Sequence, residues 1–166
     1  MFMLGDELLI APNAATQVRL PRGIWTDLRT NRTYTGRQSH QVEGSGLPVF
    51  AKNGALVPLA RADVYEMHYF PKLGGEFFIY EVEIAQWTQL HASPAGLYLR
   101  LEAESKVGRT YEWIIHHVNA PLSVESETKH SWRYDADKRN LHVTHHAEAE
   151  KDVIVNVRFE GEPLND

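Results

Sequence analysis

The chain has 166 residues, 43% of them hydrophobic and 23% charged, a globular composition that excludes disorder and fits one ordinary domain or two small ones. Its net charge of -5 excludes a broad nucleic-acid footprint. Cysteine is absent, which excludes disulfides, thiolate metal ligation and cysteine catalysis.

Period-2 patterning dominates, and turn residues interrupt it at short intervals. Glu7 to Ala11 is a short apolar run stopped by Pro12-Asn13. Thr16 to Leu20 alternates and stops at Pro21-Arg22-Gly23. Ile24 to Leu28 follows, then a Thr30-Asn31 turn and Arg32-Thr33-Tyr34. Pro48 to Ala51 and Ala55 to Val57 flank Lys52-Asn53-Gly54, a pattern that predicts a hairpin. Val64 to Phe70 ends at Pro71, and Gly74-Gly75 precedes Glu76 to Tyr80. Leu97 to Glu102 is followed by a long β-forming run from Tyr111 to Val118. Leu141 to Thr144 and Val153 to Phe159 are the last strands, and Val153, Val155, Val157 and Phe159 share one face. No segment carries the 3.6 period of an amphipathic helix, and Ala147–Lys151 is too short to form a helix alone. No apolar run approaches ~20 residues, so no membrane-spanning helix is expected.

These elements predict an all-β chain of two consecutive antiparallel β-sandwich-type domains. Residues 1–60 hold six basic and four acidic side chains, whereas residues 61–166 hold eleven and eighteen. This shift of sign places the expected boundary around Ala60–Asp63, giving domains 1–62 and 63–166.

Four motifs in the first sixty residues carry a family resemblance. They are Met3 to Pro12, then Val18-Arg19-Leu20-Pro21-Arg22-Gly23-Ile24-Trp25-Thr26-Asp27, then Tyr34-Thr35-Gly36, then Leu47 to Leu59. In order and spacing they resemble the segment that follows the catalytic barrel in family 31 glycoside hydrolases. Farther on, Gly75 to Glu81 is similar to a family strand, but Val82-Glu83-Ile84 stands where the family often has Asp-Asp-Gly. The resemblance implies a retaining α-glycosidase parent acting on α-glucosides or α-xylosides. It implies that this chain is the non-catalytic C-terminal region, with the (β/α)₈ barrel as its partner. Such a barrel takes about 250 residues, so no catalytic position carries over.

The residues themselves agree. Glu81 with Glu83, and Glu102 with Glu104, would share strand faces, where side chains point the same way and cannot flank a scissile bond; all four are expected on solvated faces. His116-His117 and His145-His146 are strand neighbours that point apart, and His142 with one of the second pair lacks recognised ligand spacing, so no metal is expected. Asp135 to Asn140 lacks the glycine and glutamate of a calcium loop and reads as a hairpin turn. No cofactor is implied. Asn31-Arg32-Thr33 fits a glycosylation sequon. Trp25 and Trp113 are expected in cores, leaving Trp87 and Trp132 as the candidate carbohydrate-binding residues of an alternative, autonomous sugar-binding module. Contacts between copies of the chain are a further expectation of the accessory role. The cytoplasm is the default compartment, because Met1 to Asp6 has neither the basic start nor the long apolar core of a signal peptide.

Overall fold

The computed structural model describes residues 1–12 and 17–164. Asn13 of the first predicted turn and Thr16 of the second predicted strand lie outside them. None of the described residues is helical, and every regular element among them is a β-strand. It divides into two compact units, Met1–Ala55 and Leu56–Asp166. Residues 60–63, where the charge changes sign, include the turn between two paired strands of the second unit.

The first unit contains β1 (Phe2–Leu4), β2 (Leu8–Ile10), β3 (Gln17–Arg19), β4 (Ile24–Asp27), β5 (Thr33–Thr35), β6 (Ser39–Gln41) and β7 (Val49–Lys52). Five of them form a sheet in the order β1-β2-β7-β4-β5, and β3 pairs with β6 as a separate ladder. Its core is small, with Leu9, Val18, Leu20, Trp25 and Phe50 nearly inaccessible. Trp25 is 1% exposed, as its motif predicts, and its indole N–H donates to the Pro21 carbonyl at 2.9 Å. Gly36 closes the same knot. Its N–H donates to the Gly23 carbonyl at 2.7 Å, and a Cβ on Gly36 would lie 1.7 Å from the Pro21 oxygen. The Pro21–Gly23 turn and the Tyr34–Gly36 motif thus touch each other, and only glycine fits the contact.

One predicted hairpin is corrected. The Asn53-Gly54 turn forms, with Ala55 N–H donating to the Lys52 carbonyl at 2.9 Å. However, the strands on either side enter different sheets. Gly54 has a φ of +89°, while Asn53 is not among the positive-φ residues. A two-residue type I′ hairpin needs positive φ at both positions, and here only the second has it.

The second unit contains β8 (Leu56–Arg61), β9 (Val64–Tyr69), β10 (Gly75–Glu81), β11 (Gln86–Ala95), β12 (Tyr98–Ser105), β13 (Arg109–Ile115), β14 (Pro121–Glu125), β15 (His130–Asp135), β16 (Asn140–Ala147) and β17 (Lys151–Phe159). They form two five-stranded sheets, β10-β11-β12-β17-β14 and β15-β16-β13-β9-β8. Pairing is antiparallel except between β9 and β13, which run parallel. The two sheets share one large core around Trp113, Tyr111, Met67, Leu101 and Phe159. The predicted alternation of β17 is observed: Val153, Val155, Val157 and Phe159 are all at most 3% exposed. The predicted strand from Tyr111 to Val118 is shorter, because it ends at Ile115 and His117 takes a φ of +56°. Ala147–Lys151 forms no helical turn; it carries the chain from β16 in one sheet to β17 in the other.

Candidate binding face

Trp87 lies on β11, whose Thr88, Leu90 and Ala92 point into the core. Trp87 therefore faces outward with Gln89 and His91. It is 52% exposed. Its cross-strand partner on β10 is Tyr80, and the two rings lie 5.0 Å apart, tilted by 53°. Phe78, on the same outer face, meets the His91 ring edge-on at 6.2 Å. Three exposed aromatic rings thus occupy one corner of the β10-β11-β12-β17-β14 sheet. Sequence reading selected Trp87 and missed Phe78 and Tyr80, whose signal was the alternation in Glu76-Phe77-Phe78-Ile79-Tyr80.

Trp132 sits elsewhere. It lies on β15, an edge strand of the other sheet, opposite the buried Val143. It shares its strand face with Tyr134, which packs on the core and donates its hydroxyl to the Val118 carbonyl at 2.8 Å. Trp132 therefore lies over the rim of the core, 48% exposed. The structure does not bring Trp87 and Trp132 together.

The carboxylates are largely committed to structural partners. Glu81, expected on a solvated face, is instead buried. Being the last residue of β10, it points inward with Phe77 and Ile79. Arg109 binds it through two nitrogens, at 2.9 and 3.1 Å, and the Thr88 hydroxyl donates to it at 2.7 Å. This pairing raises the pKa of Arg109 against the opposing effect of burial. Glu83 is exposed in the β10–β11 turn, while Glu102 lies beside Arg100 at 3.3 Å on the outer face of β12. Asp27, fully buried, holds Arg29 at 2.7 Å, and Arg29 reaches the carbonyls of Glu43, Gly44 and Gly46.

Several histidines also have partners within the chain. His145 and His146 point apart, as expected: His145 is buried, and His146 meets the Thr110 hydroxyl at 3.1 Å. His145 accepts the Trp113 indole N–H at 2.9 Å on Nε2. Burial pushes its pKa down to about 4, helped by His130 and His146. Elsewhere Glu66, His68 and His116 form a chain with contacts of 2.7 and 2.8 Å. His116 also stacks face to face on Phe70, with ring centroids 4.5 Å apart. Burial first, and then His68, His117 and His142, lower the His116 pKa to about 3. His142 pairs with Glu112 at 2.9 Å. Among the described residues no group of three His, Cys, Asp or Glu side chains could hold a metal ion. Asp135 accepts the backbone N–H groups of Asp137 and Lys138, both at 3.1 Å, which makes the 135–140 segment a hairpin turn.

Two five-stranded sheets around one core make the second unit a β-sandwich-type fold. Residues 1–57 match the glycosyl hydrolase family 31 C-terminal domain. No curated protein sequence matches the chain. Among solved structures, a GH31 dextranase from Flavobacterium johnsoniae is similar, with a TM-score of 0.80 and 19% identity, over 95% of this chain and 26% of that one. The cycloalternan-forming enzyme of Listeria monocytogenes gives 0.79 at 20% identity, over 94% and 18%. The α-1,4-glucan lyase of Gracilariopsis lemaneiformis gives 0.67 at 13% identity, over 92% and 22%. The chain thus spans about a quarter or less of the enzymes whose fold it shares. By sequence its residues 1–57 are similar to the glycosyl hydrolase family 31 C-terminal domain, and over 92–95% of its length its fold is similar to part of these enzymes.

Proposed function

We propose that the chain is the non-catalytic C-terminal β-region of a family 31 α-glycosidase, of α-glucosidase or α-xylosidase type, working in carbohydrate metabolism. Its role is to pack against and stabilise a (β/α)₈ catalytic barrel. The observation that carries this reading is the match of residues 1–57 to the C-terminal domain of that family. The chain's 166 residues fall short of the roughly 250 that a barrel requires. The engagement of Asp27, Glu66, Glu81 and Glu112 in internal pairs supports it further. The reading frame upstream of Met1 tests the proposal directly. A barrel with two carboxylates flanking its cleft is expected there, and a stop codon in its place overturns the reading. The purified chain should not turn over aryl α-glucosides or α-xylosides.

One observation favours a second reading, an autonomous carbohydrate-binding module. Trp87 and Tyr80 form an exposed aromatic pair on an outer sheet face, where a sugar ring can stack. Titration of the chain with oligosaccharides, followed by tryptophan fluorescence, tests it; no response in the unaltered chain removes this reading, and an unchanged response in Trp87→Ala removes the aromatic pair as its site.

A further inference from the structure

The outer face that carries Trp87 has a second feature. A groove of about 540 Å³ crosses the far side of the sheet. Its floor is made by Arg100 of β12 and by Asp152, Ile154 and Asn156 of β17, and its wall by residues 125–128. Strand register explains the floor. Asp152, Ile154 and Asn156 alternate with the core residues Val153, Val155 and Val157. Asn156 is opposed by Arg100 on one side and Glu125 on the other, so these three form one row across three strands. Neighbouring strands lie about 4.8 Å apart, which spaces the polar heads for successive contacts along one ligand.

The wall is held in place. The Ser126 hydroxyl donates to the Ile154 carbonyl at 2.7 Å and accepts the Thr128 N–H at 3.1 Å. The His130 ring bridges the carbonyls of Thr128 and Val124, at 2.9 and 3.1 Å. A groove whose wall is already fixed needs little ordering on binding.

The lining selects the ligand. Glu125, Glu127 and Asp152 set three carboxylates against the single guanidinium of Arg100, which disfavours phosphates and other anions. None of these carboxylates belongs to a cation-holding group among the described residues. Ile154 is the one aliphatic side chain of the lining, too little for an apolar ligand. A neutral polyhydroxyl ligand satisfies the set. Its hydroxyls donate to the carboxylates and accept from Arg100 and the Asn156 amide, and its C–H face rests on Ile154.

We propose that this groove is an oligosaccharide subsite. The proposal rests on the carbohydrate-binding reading for its ligand class and differs from it in place, because the groove lies on β12 and β17 and the aromatic corner on β10 and β11. Calorimetric titration of the full chain with maltotriose, isomaltotriose and cellotriose tests it, alongside Asn156→Ala, Arg100→Ala and Trp87→Ala. All three side chains are exposed, and circular dichroism checks each variant's fold. Loss of groove hydrogen bonds should weaken binding about tenfold or more in Asn156→Ala and Arg100→Ala. Weakening in those variants, whether or not Trp87→Ala also weakens, upholds the groove. Weakening in Trp87→Ala alone overturns the groove and keeps the aromatic platform. No binding of any trisaccharide at about 10 mM overturns both.

Discussion

The two units solve the same problem with different amounts of material. The second buries a shared core between two five-stranded sheets. The first has one five-stranded sheet, a two-stranded ladder and a handful of buried side chains. A small core leaves little stability to spare. The first unit compensates with individually demanding contacts: the Trp25 indole on the Pro21 carbonyl, Gly36 against the same carbonyl, and Arg29 spanning Asp27 and the 43–46 loop. Such contacts accept few residue types, so they remain readable as motifs. A large sandwich is specified mainly by alternation, which many sequences satisfy. This difference accounts for a sequence match confined to residues 1–57 while fold similarity extends over 95% of the chain.

The sharpest way to break this comparison is Trp25→Ala. Truncation of a buried aromatic costs about 3–5 kcal/mol, enough to unfold a unit of this size. Hydrogen exchange followed by mass spectrometry should show lost protection over residues 17–52 and retained protection over β11, β12 and β17. Equal loss in both units would show that they do not differ in the way described.

Gly36→Ala probes the same knot through the backbone. The added methyl would sit 1.7 Å from the Pro21 oxygen, so strands or turn must move. A cost of about 3 kcal/mol, the upper end for overpacking, is expected. Chemical denaturation measures it. A change below about 0.5 kcal/mol would show that the turn yields freely and that the glycine is not required.

How much was legible in the sequence follows the same division. In the first unit the motifs identified Trp25 as core and predicted turns at Pro21–Gly23 and Thr30-Asn31. The Asn53-Gly54 hairpin failed because sequence cannot tell a turn with one positive φ from a turn with two. In the second unit the aliphatic alternation of β17 was plain. β11 gave no strand signal, although it is the strand that carries Trp87. Its inward positions are Thr88, Leu90 and Ala92, and a buried threonine and alanine do not read as an apolar face. Thr88 is buried because it bonds Glu81, and Glu81 is buried because Arg109 reaches it from 28 residues away. Such long-range pairing has no local signature. Neither has the groove, whose row joins Arg100, Asn156 and Glu125 only through register.

The second unit's own weak point should appear in acid. His145 has its pKa lowered to about 4, against about 6.5 in an unfolded chain. Between these values the unfolded state holds the proton and the folded state does not, so stability falls as pH falls. Its contribution is intact above about pH 6.5 and is lost towards pH 4, at up to about 1.4 kcal/mol per pH unit, or about 2 kcal/mol by pH 5. Geometry gives the same sign, because protonated Nε2 cannot accept the Trp113 N–H. His145→Gln can still accept at that place without titrating. Denaturation midpoints for the two proteins should therefore converge as pH falls from 7 to 5, and parallel curves would remove His145 from the account.

The smallest effect completes the contrast, because it applies the Trp25 substitution to the other unit. Trp87 is half exposed and points away from the core. Its main fixed contact is the tilted ring of Tyr80 across the strand pair. Cross-strand aromatic pairs contribute about 0.2–1 kcal/mol, so Trp87→Ala should lower stability by less than about 1 kcal/mol, several-fold below Trp25→Ala. The two side chains are identical, and what separates their burial is the face of the strand on which each falls. Thermal unfolding of the two variants side by side measures the ratio. If Trp87→Ala melts as low as Trp25→Ala, the aromatic corner is part of the fold's support, and the outer face of the β10-β11-β12-β17-β14 sheet loses its claim to be a free binding surface.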